Sequence, residues 1–133
     1  MGRVAPRHRI AALVAALGVV AAPIALGACS SSGGGSSNEA CPATVNATVH
    51  AHDAYRFTPD TLTATAGKWT VKLVDDGSLD HTFQIHGIDG KASVSSGNKN
   101  ACHTFTLTKG TFHFYCGIPG HESSGMKGTL TVS

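Results

Sequence analysis

From Val45 to Phe114 the chain alternates apolar and polar residues with a period of two, and no other feature restricts its fold as much. Apolar positions recur at Val45, Ala47 and Val49, at Leu62 and Ala64, and at Trp69, Val71 and Leu73. They continue at Phe83 and Ile85, at Phe105 and Leu107, and at Phe112 and Phe114. Residues two apart share one face of a strand, so each run reads as a strand with one buried face. Threonine fills many of the alternate positions (Thr61, Thr63, Thr65, Thr70, Thr104, Thr106, Thr108), and β-branched side chains suit a pleated surface better than a helix. Turn residues punctuate the runs at Pro59-Asp60, Ala66-Gly67-Lys68, Asp75-Asp76-Gly77, Asp89-Gly90 and Lys109-Gly110. The expectation is an all-β Greek-key sandwich of seven to eight strands. Lys91 to Asn100, polar and rich in Ser, Gly and Asn, reads either as a loop or as a frayed edge strand.

The chemistry is concentrated near the C-terminus. Tyr115-Cys116-Gly117-Ile118-Pro119-Gly120-His121-Glu122-Ser123-Ser124-Gly125-Met126 puts a thiolate, an imidazole and a thioether on one glycine-rich loop. Sulfur donors favour Cu(I) and imidazole suits Cu(II), so the combination can hold both oxidation states of copper and pass electrons. A trigonal site of this kind needs a second histidine from elsewhere. The best candidate is His81, which opens His81-Thr82-Phe83-Gln84-Ile85 after the turn residues Asp75-Asp76-Gly77-Ser78.

In these residues the chain resembles the cupredoxin family over roughly Thr44 to Ser133, including Gly110-Thr111-Phe112-His113-Phe114-Tyr115-Cys116 and Gly128-Thr129-Leu130-Thr131-Val132 as its last two strands. The resemblance implies a single copper ion held by His81, Cys116, His121 and the weak axial ligand Met126. It also implies a hydrogen bond from Thr82 toward the ligand loop. The Cys-x4-His-x4-Met spacing looks closer to the auracyanin and rusticyanin type than to plastocyanin or azurin. By the same resemblance the His121 edge reaches the surface among Ile118, Pro119 and the Met126 neighbourhood, where a redox partner protein would dock.

The start of the chain carries Arg3, Arg7 and Arg9, an apolar run from Ile10 to Ala22, and Leu26-Gly27-Ala28-Cys29. That run is shorter than the roughly 20 residues a spanning helix needs, and the pattern is that of an export signal. The Leu-Gly-Ala-Cys tetrapeptide resembles the bacterial lipobox, implying cleavage before Cys29 and lipid attachment to its sulfur. Residues 1–28 are therefore expected to be a lipoprotein signal peptide, 29–40 a flexible Ser/Gly-rich tether, and 41–133 a copper-binding domain. The expected location is the outer face of the cell membrane, with the protein exported, lipid-anchored and monomeric. Three of the ten basic residues leave with the signal while all eight acidic ones remain, so the domain has no basic field for nucleic acid.

With Cys29 lipidated and Cys116 on metal, Cys41 and Cys102 remain, and in an oxidising setting they would form a disulfide. His50 and His52 share a strand face and are read as surface residues rather than a second metal site, and His86, His103 and His113 as solvent-side or loop residues. An electron carrier is the favoured function. The alternative is a copper protein for storage, resistance or delivery, which would rely on exposed Met or His clusters; this chain has only two methionines. An enzyme is not expected, since one such domain lacks the extra histidine clusters that multicopper enzymes place at a domain boundary.

Overall fold

The computed structural model describes residues 41–133. The expected signal, the tether and Cys29 lie outside the described residues.

Nine strands form two sheets among the described residues. They are β1 (Ala47–His52), β2 (Arg56–Thr58), β3 (Thr61–Ala64), β4 (Gly67–Asp75), β5 (His81–Ile85), β6 (Ile88–Val94), β7 (Asn100–Leu107), β8 (Gly110–Tyr115) and β9 (Lys127–Val132). One sheet has the order β2-β1-β4-β7 and the other β3-β9-β8-β5-β6. The β1/β4 and β3/β9 pairs are parallel, and the others are antiparallel. This is the all-β sandwich the alternation implies.

The count exceeds seven to eight for two local reasons. Arg56-Phe57-Thr58 is too short to show a period, yet Phe57 is buried and the strand pairs with the end of β1. The stretch before Asn100 is an edge strand in its first part: Ala92 and Val94 are buried, and Phe83 pairs with Ala92 and His81 with Val94. Asp89-Gly90 is not the turn that was expected. The hairpin turns at His86-Gly87, where Gly87 has φ 76° and Ile85 pairs with Ile88, so Asp89 and Gly90 fall inside β6. Gly90 is needed there for another reason, because a side chain on it would overlap the His103 ring.

The core is aromatic. Phe83 stacks on Phe114 with centroids 4.9 Å apart, and Phe57, Trp69 and Phe105 pack around Phe83. Burying side chains of this size contributes about 1.5–3 kcal/mol each. Phe112, expected on the same face, is only half-buried at the rim of this cluster. Gly128 lets β9 pass close to β8, since a Cβ there would overlap the Phe114 ring and the Asp60 carbonyl.

Cys41 and Cys102 are joined in a disulfide across a sequence separation of 61, tying the segment before β1 to β7. Closing a loop of that length removes unfolded-state entropy equivalent to on the order of 4 kcal/mol. The double variant Cys41→Ala/Cys102→Ala should lose about 2–4 kcal/mol of unfolding free energy in denaturant titration; an unchanged midpoint would show that the bridge does not constrain the unfolded chain.

Candidate metal centre

Strand β5 has the burial pattern of a core strand, with His81, Phe83 and Ile85 all pointing inward. His81 therefore takes a position that pattern alone would give to an apolar residue, and its ring is completely buried. Neither ring nitrogen has a hydrogen-bond partner. An unpartnered polar atom in that setting is destabilising by about 1–3 kcal/mol, which is the mark of a group kept for binding rather than for packing.

Cys116 directly follows β8 and is also buried, at 1% exposure, and it is the free cysteine among the described residues. His121 is half-buried on the following loop, with its Nδ1 3.5 Å from Cys116 Sγ. Donor atoms of His81, Cys116 and His121 all lie within 4.8 Å of one another. Met126 is fully buried, and its backbone closes the loop: Cys116 N–H donates to the Met126 carbonyl (3.0 Å) and Met126 N–H to the His121 carbonyl (3.0 Å). A cysteine sulfur outside any disulfide, two imidazoles, of which the buried His81 has both nitrogens without a hydrogen-bond partner, and a thioether fit one copper ion.

The sulfur is held by its neighbours. Thr82 N–H lies 3.4 Å and the Thr82 hydroxyl 3.8 Å from Cys116 Sγ, with both as donors. The hydroxyl oxygen accepts from Gly117 N–H (2.8 Å) and from Gln84 Nε2 (3.2 Å), linking β5 to the start of the ligand loop. Gln84 was not singled out in the sequence. Its amide packs so closely on Gly117 that any side chain at 117 would collide with it.

The turn between β1 and β2 meets both imidazoles. Tyr55, at φ 55°, sets its ring edge-on to His121 with centroids 4.8 Å apart. Asp53 Oδ1 is 3.6 Å from His81 Nε2, beyond hydrogen-bond length. Leu79 N–H and Ser78 N–H donate to the Asp53 carboxylate and hold its pKa down at about 2. Asp75 is buried beneath this turn. Burial pushes its carboxyl up, but Lys99 Nζ at 2.7 Å and the Gly77 N–H outweigh that and leave it below the ordinary value.

The remaining histidines stay outside the centre. His50 Nδ1 lies 2.8 Å from Asp76 Oδ2, and His52 Nε2 is bonded to the Thr58 hydroxyl (3.1 Å). His86 and His113 are exposed and His103 half-buried. His86 stacks on Tyr115 (centroids 3.9 Å apart) and bonds Glu122, beside His121, at 2.8 Å.

Residues 14–132 match the family model described as Cupredoxin-like domain. Among solved structures, the fold superposes on reduced auracyanin from the photosynthetic bacterium Roseiflexus castenholzii with TM-score 0.58 at 18% identity, over 69% of this chain and 99% of that one. Auracyanin A, a "blue" copper protein from Chloroflexus aurantiacus, superposes with TM-score 0.56 at 19% identity, over 65% and 96%. Oxidised plastocyanin from Dryopteris crassirhizoma gives TM-score 0.50 at 28% identity, over 65% and 99%. No curated protein matches the chain.

Burial is the main cause that lowers the His81 pKa below its ordinary value, and the nearby His121 adds to it against the opposing pull of Asp53 and Asp75. The folded ring stays neutral where the unfolded one, at about 6.5, takes up a proton. Metal-free protein should thus lose stability as pH falls below about 6.5, by at most ~1.4 kcal/mol per pH unit for this one proton. Unfolding of wild type and His81→Leu at about pH 8 and about pH 5.5 checks the sign. The loss on acidification should be smaller in His81→Leu; equal losses would show that His81 does not carry it.

Proposed function

The chain belongs to the cupredoxin-like family, and from that membership we propose that it is a type 1 (blue) copper protein carrying single electrons between redox partners at the outer face of a membrane. The observation that carries the reading is the convergence of His81, Cys116 and His121 within 4.8 Å, with Met126 buried on the same loop. The cofactor is one copper ion, which supplies a one-electron Cu(II)/Cu(I) couple when bound.

The protein's part is to keep the donors still. His81 and Thr82 are fixed in a paired strand, Cys116 leaves another, and the loop to Met126 is closed by backbone hydrogen bonds at both ends. Little has to rearrange when the charge at the centre changes by one, and that favours fast transfer. Burial of Cys116 and His81 keeps water away, while half-buried His121 offers a route to the surface.

Around His121 lie Ile118, Leu79 and Tyr55; Leu79 is 39% and Tyr55 37% exposed. This apolar rim is our candidate docking patch for the redox partner. Transient redox encounters use small interfaces, under ~1,200 Å². Attachment through a lipid on Cys29, with residues 30–40 as tether, would hold a monomeric carrier at the membrane after export. We read the protein as a carrier rather than an enzyme. Against storage or delivery stands the site itself, in which a buried thiolate and thioether leave His121 as the accessible ligand.

Voltammetry of the copper-loaded protein tests this reading. Wild type should give a reversible one-electron wave, and Met126→Gln should lower the potential by more than ~59 mV, a tenfold shift toward Cu(II). An unchanged potential would show that Met126 is not a ligand. Cys116→Ser should lose the intense visible colour, and a variant that stays blue would overturn the assignment.

A further inference from the structure

Asp53 is an exposed-turn carboxylate with far more structure around it than an exposed turn requires. The parallel register of β1 on β4 sets Ala51 beside Asp75, and Asp76 N–H donates to the Ala51 carbonyl (3.0 Å). The chain leaving β1 is thereby delivered against the turn that precedes β5. There Asp53 Oδ1 accepts from Ser78 N–H and Leu79 N–H, both at 3.0 Å, and Oδ2 accepts from the Ser78 hydroxyl at 3.0 Å. Gly77 completes the cradle, because any Cβ at that position would occupy the space of the carboxylate.

The cradle aims the carboxylate at one group. Asp53 Oδ1 lies 3.6 Å from His81 Nε2, and among the described residues no other lysine, arginine or histidine side chain is within ion-pair distance of Asp53. Asp75, the other carboxylate near His81, is already neutralised by Lys99 Nζ at 2.7 Å. That contact also argues against reading Asp53, Asp75 and His81 as a separate cation site, since the lysine already supplies the positive charge. A few tenths of an ångström would close the Asp53 contact to a hydrogen bond.

We propose that Asp53 is a positioning residue for His81: it holds the imidazole hydrogen on Nε2, so that Nδ1 is the nitrogen presented to copper, and its charge favours the oxidised ion. A carboxylate behind a ligating histidine fixes the tautomer, orients the ring and makes the ligand more basic. The fully buried ring then acquires a partner on each nitrogen, which accounts for a histidine at a core position of β5. Thr82 restrains the cysteine sulfur from β5, and Asp53 restrains the histidine from the opposite sheet.

The inference about copper rests on the reading above, and the inference about the tautomer does not. The first measurement is therefore imidazole nitrogen–proton correlation NMR on the metal-free protein. His81 should carry its hydrogen on Nε2 in wild type and become a mixture of tautomers in Asp53→Ala. A wild-type His81 protonated on Nδ1 overturns the proposal. The second measurement is copper affinity and reduction potential of Asp53→Asn, which keeps an oxygen for the Ser78 and Leu79 N–H groups but loses the charge. Affinity should fall roughly 10- to 100-fold and the potential should rise; wild-type values for both overturn the proposal. Ser78→Ala separates positioning from mere support of the turn. It should lower thermal stability as Asp53→Asn does and leave the potential in place, so an equal rise in both variants contradicts a specific role for Asp53. Failure of the wild type to bind copper would instead sink the copper reading, with the tautomer result still deciding whether Asp53 orients His81.

Discussion

A completely buried imidazole on the inward face of a strand is the constraint around which this structure is organised. His81 sits in line with Phe83 and Ile85, and no hydrogen bond satisfies either of its nitrogens. A folded chain retains such a residue only if something else is gained. The surroundings show what that is. Buried Cys116 and half-buried His121 converge on the ring, Thr82 on the same strand faces the sulfur, and Asp53 approaches from behind. The sandwich supplies the rigidity, and the histidine determines where it is used.

Rigidity and chemistry meet in the hydrogen-bond pattern of the ligand loop. Cys116 and Met126 are joined through the backbone, Met126 and His121 likewise, and His121 N–H donates to the Ile118 carbonyl at 3.1 Å. Gly120 and Gly125 adopt φ 87° and 109°, conformations that residues with side chains rarely reach, and so allow the chain to reverse twice within a short loop. Gly117 and Gly128 serve closeness instead, one against Gln84 and the other against Phe114. A loop spaced in this way can bring three donors to one end of the sandwich without a helix or a second domain.

Much of this was legible because the determinants are local in sequence. Strand alternation needs only neighbouring residues, and three of the four proposed ligands lie between Cys116 and Met126. What escaped depends on distant pairing. Asp53 and Tyr55 look like ordinary turn residues until the β1/β4 register and the closing loop set them beside His81 and His121. Phe57 was missed because a three-residue strand has no period to detect. Asp89-Gly90 looked like a turn on composition, but the two-residue hairpin went to His86-Gly87, whose glycine supplies the positive φ and leaves Ile88 paired with Ile85. The Gln84 contact had only a weak signal, a polar residue two after Thr82 on the same face of β5.

The claim that these donors form one electron-transfer centre is tested most directly by adding Cu(II) to the metal-free protein and recording visible absorption together with EPR. An intense blue band and narrow copper hyperfine splitting, saturating at one equivalent, are expected from a short cysteine thiolate bond in a trigonal site. A pale spectrum with wide splitting would place the copper on imidazole and oxygen donors alone, and would contradict the account.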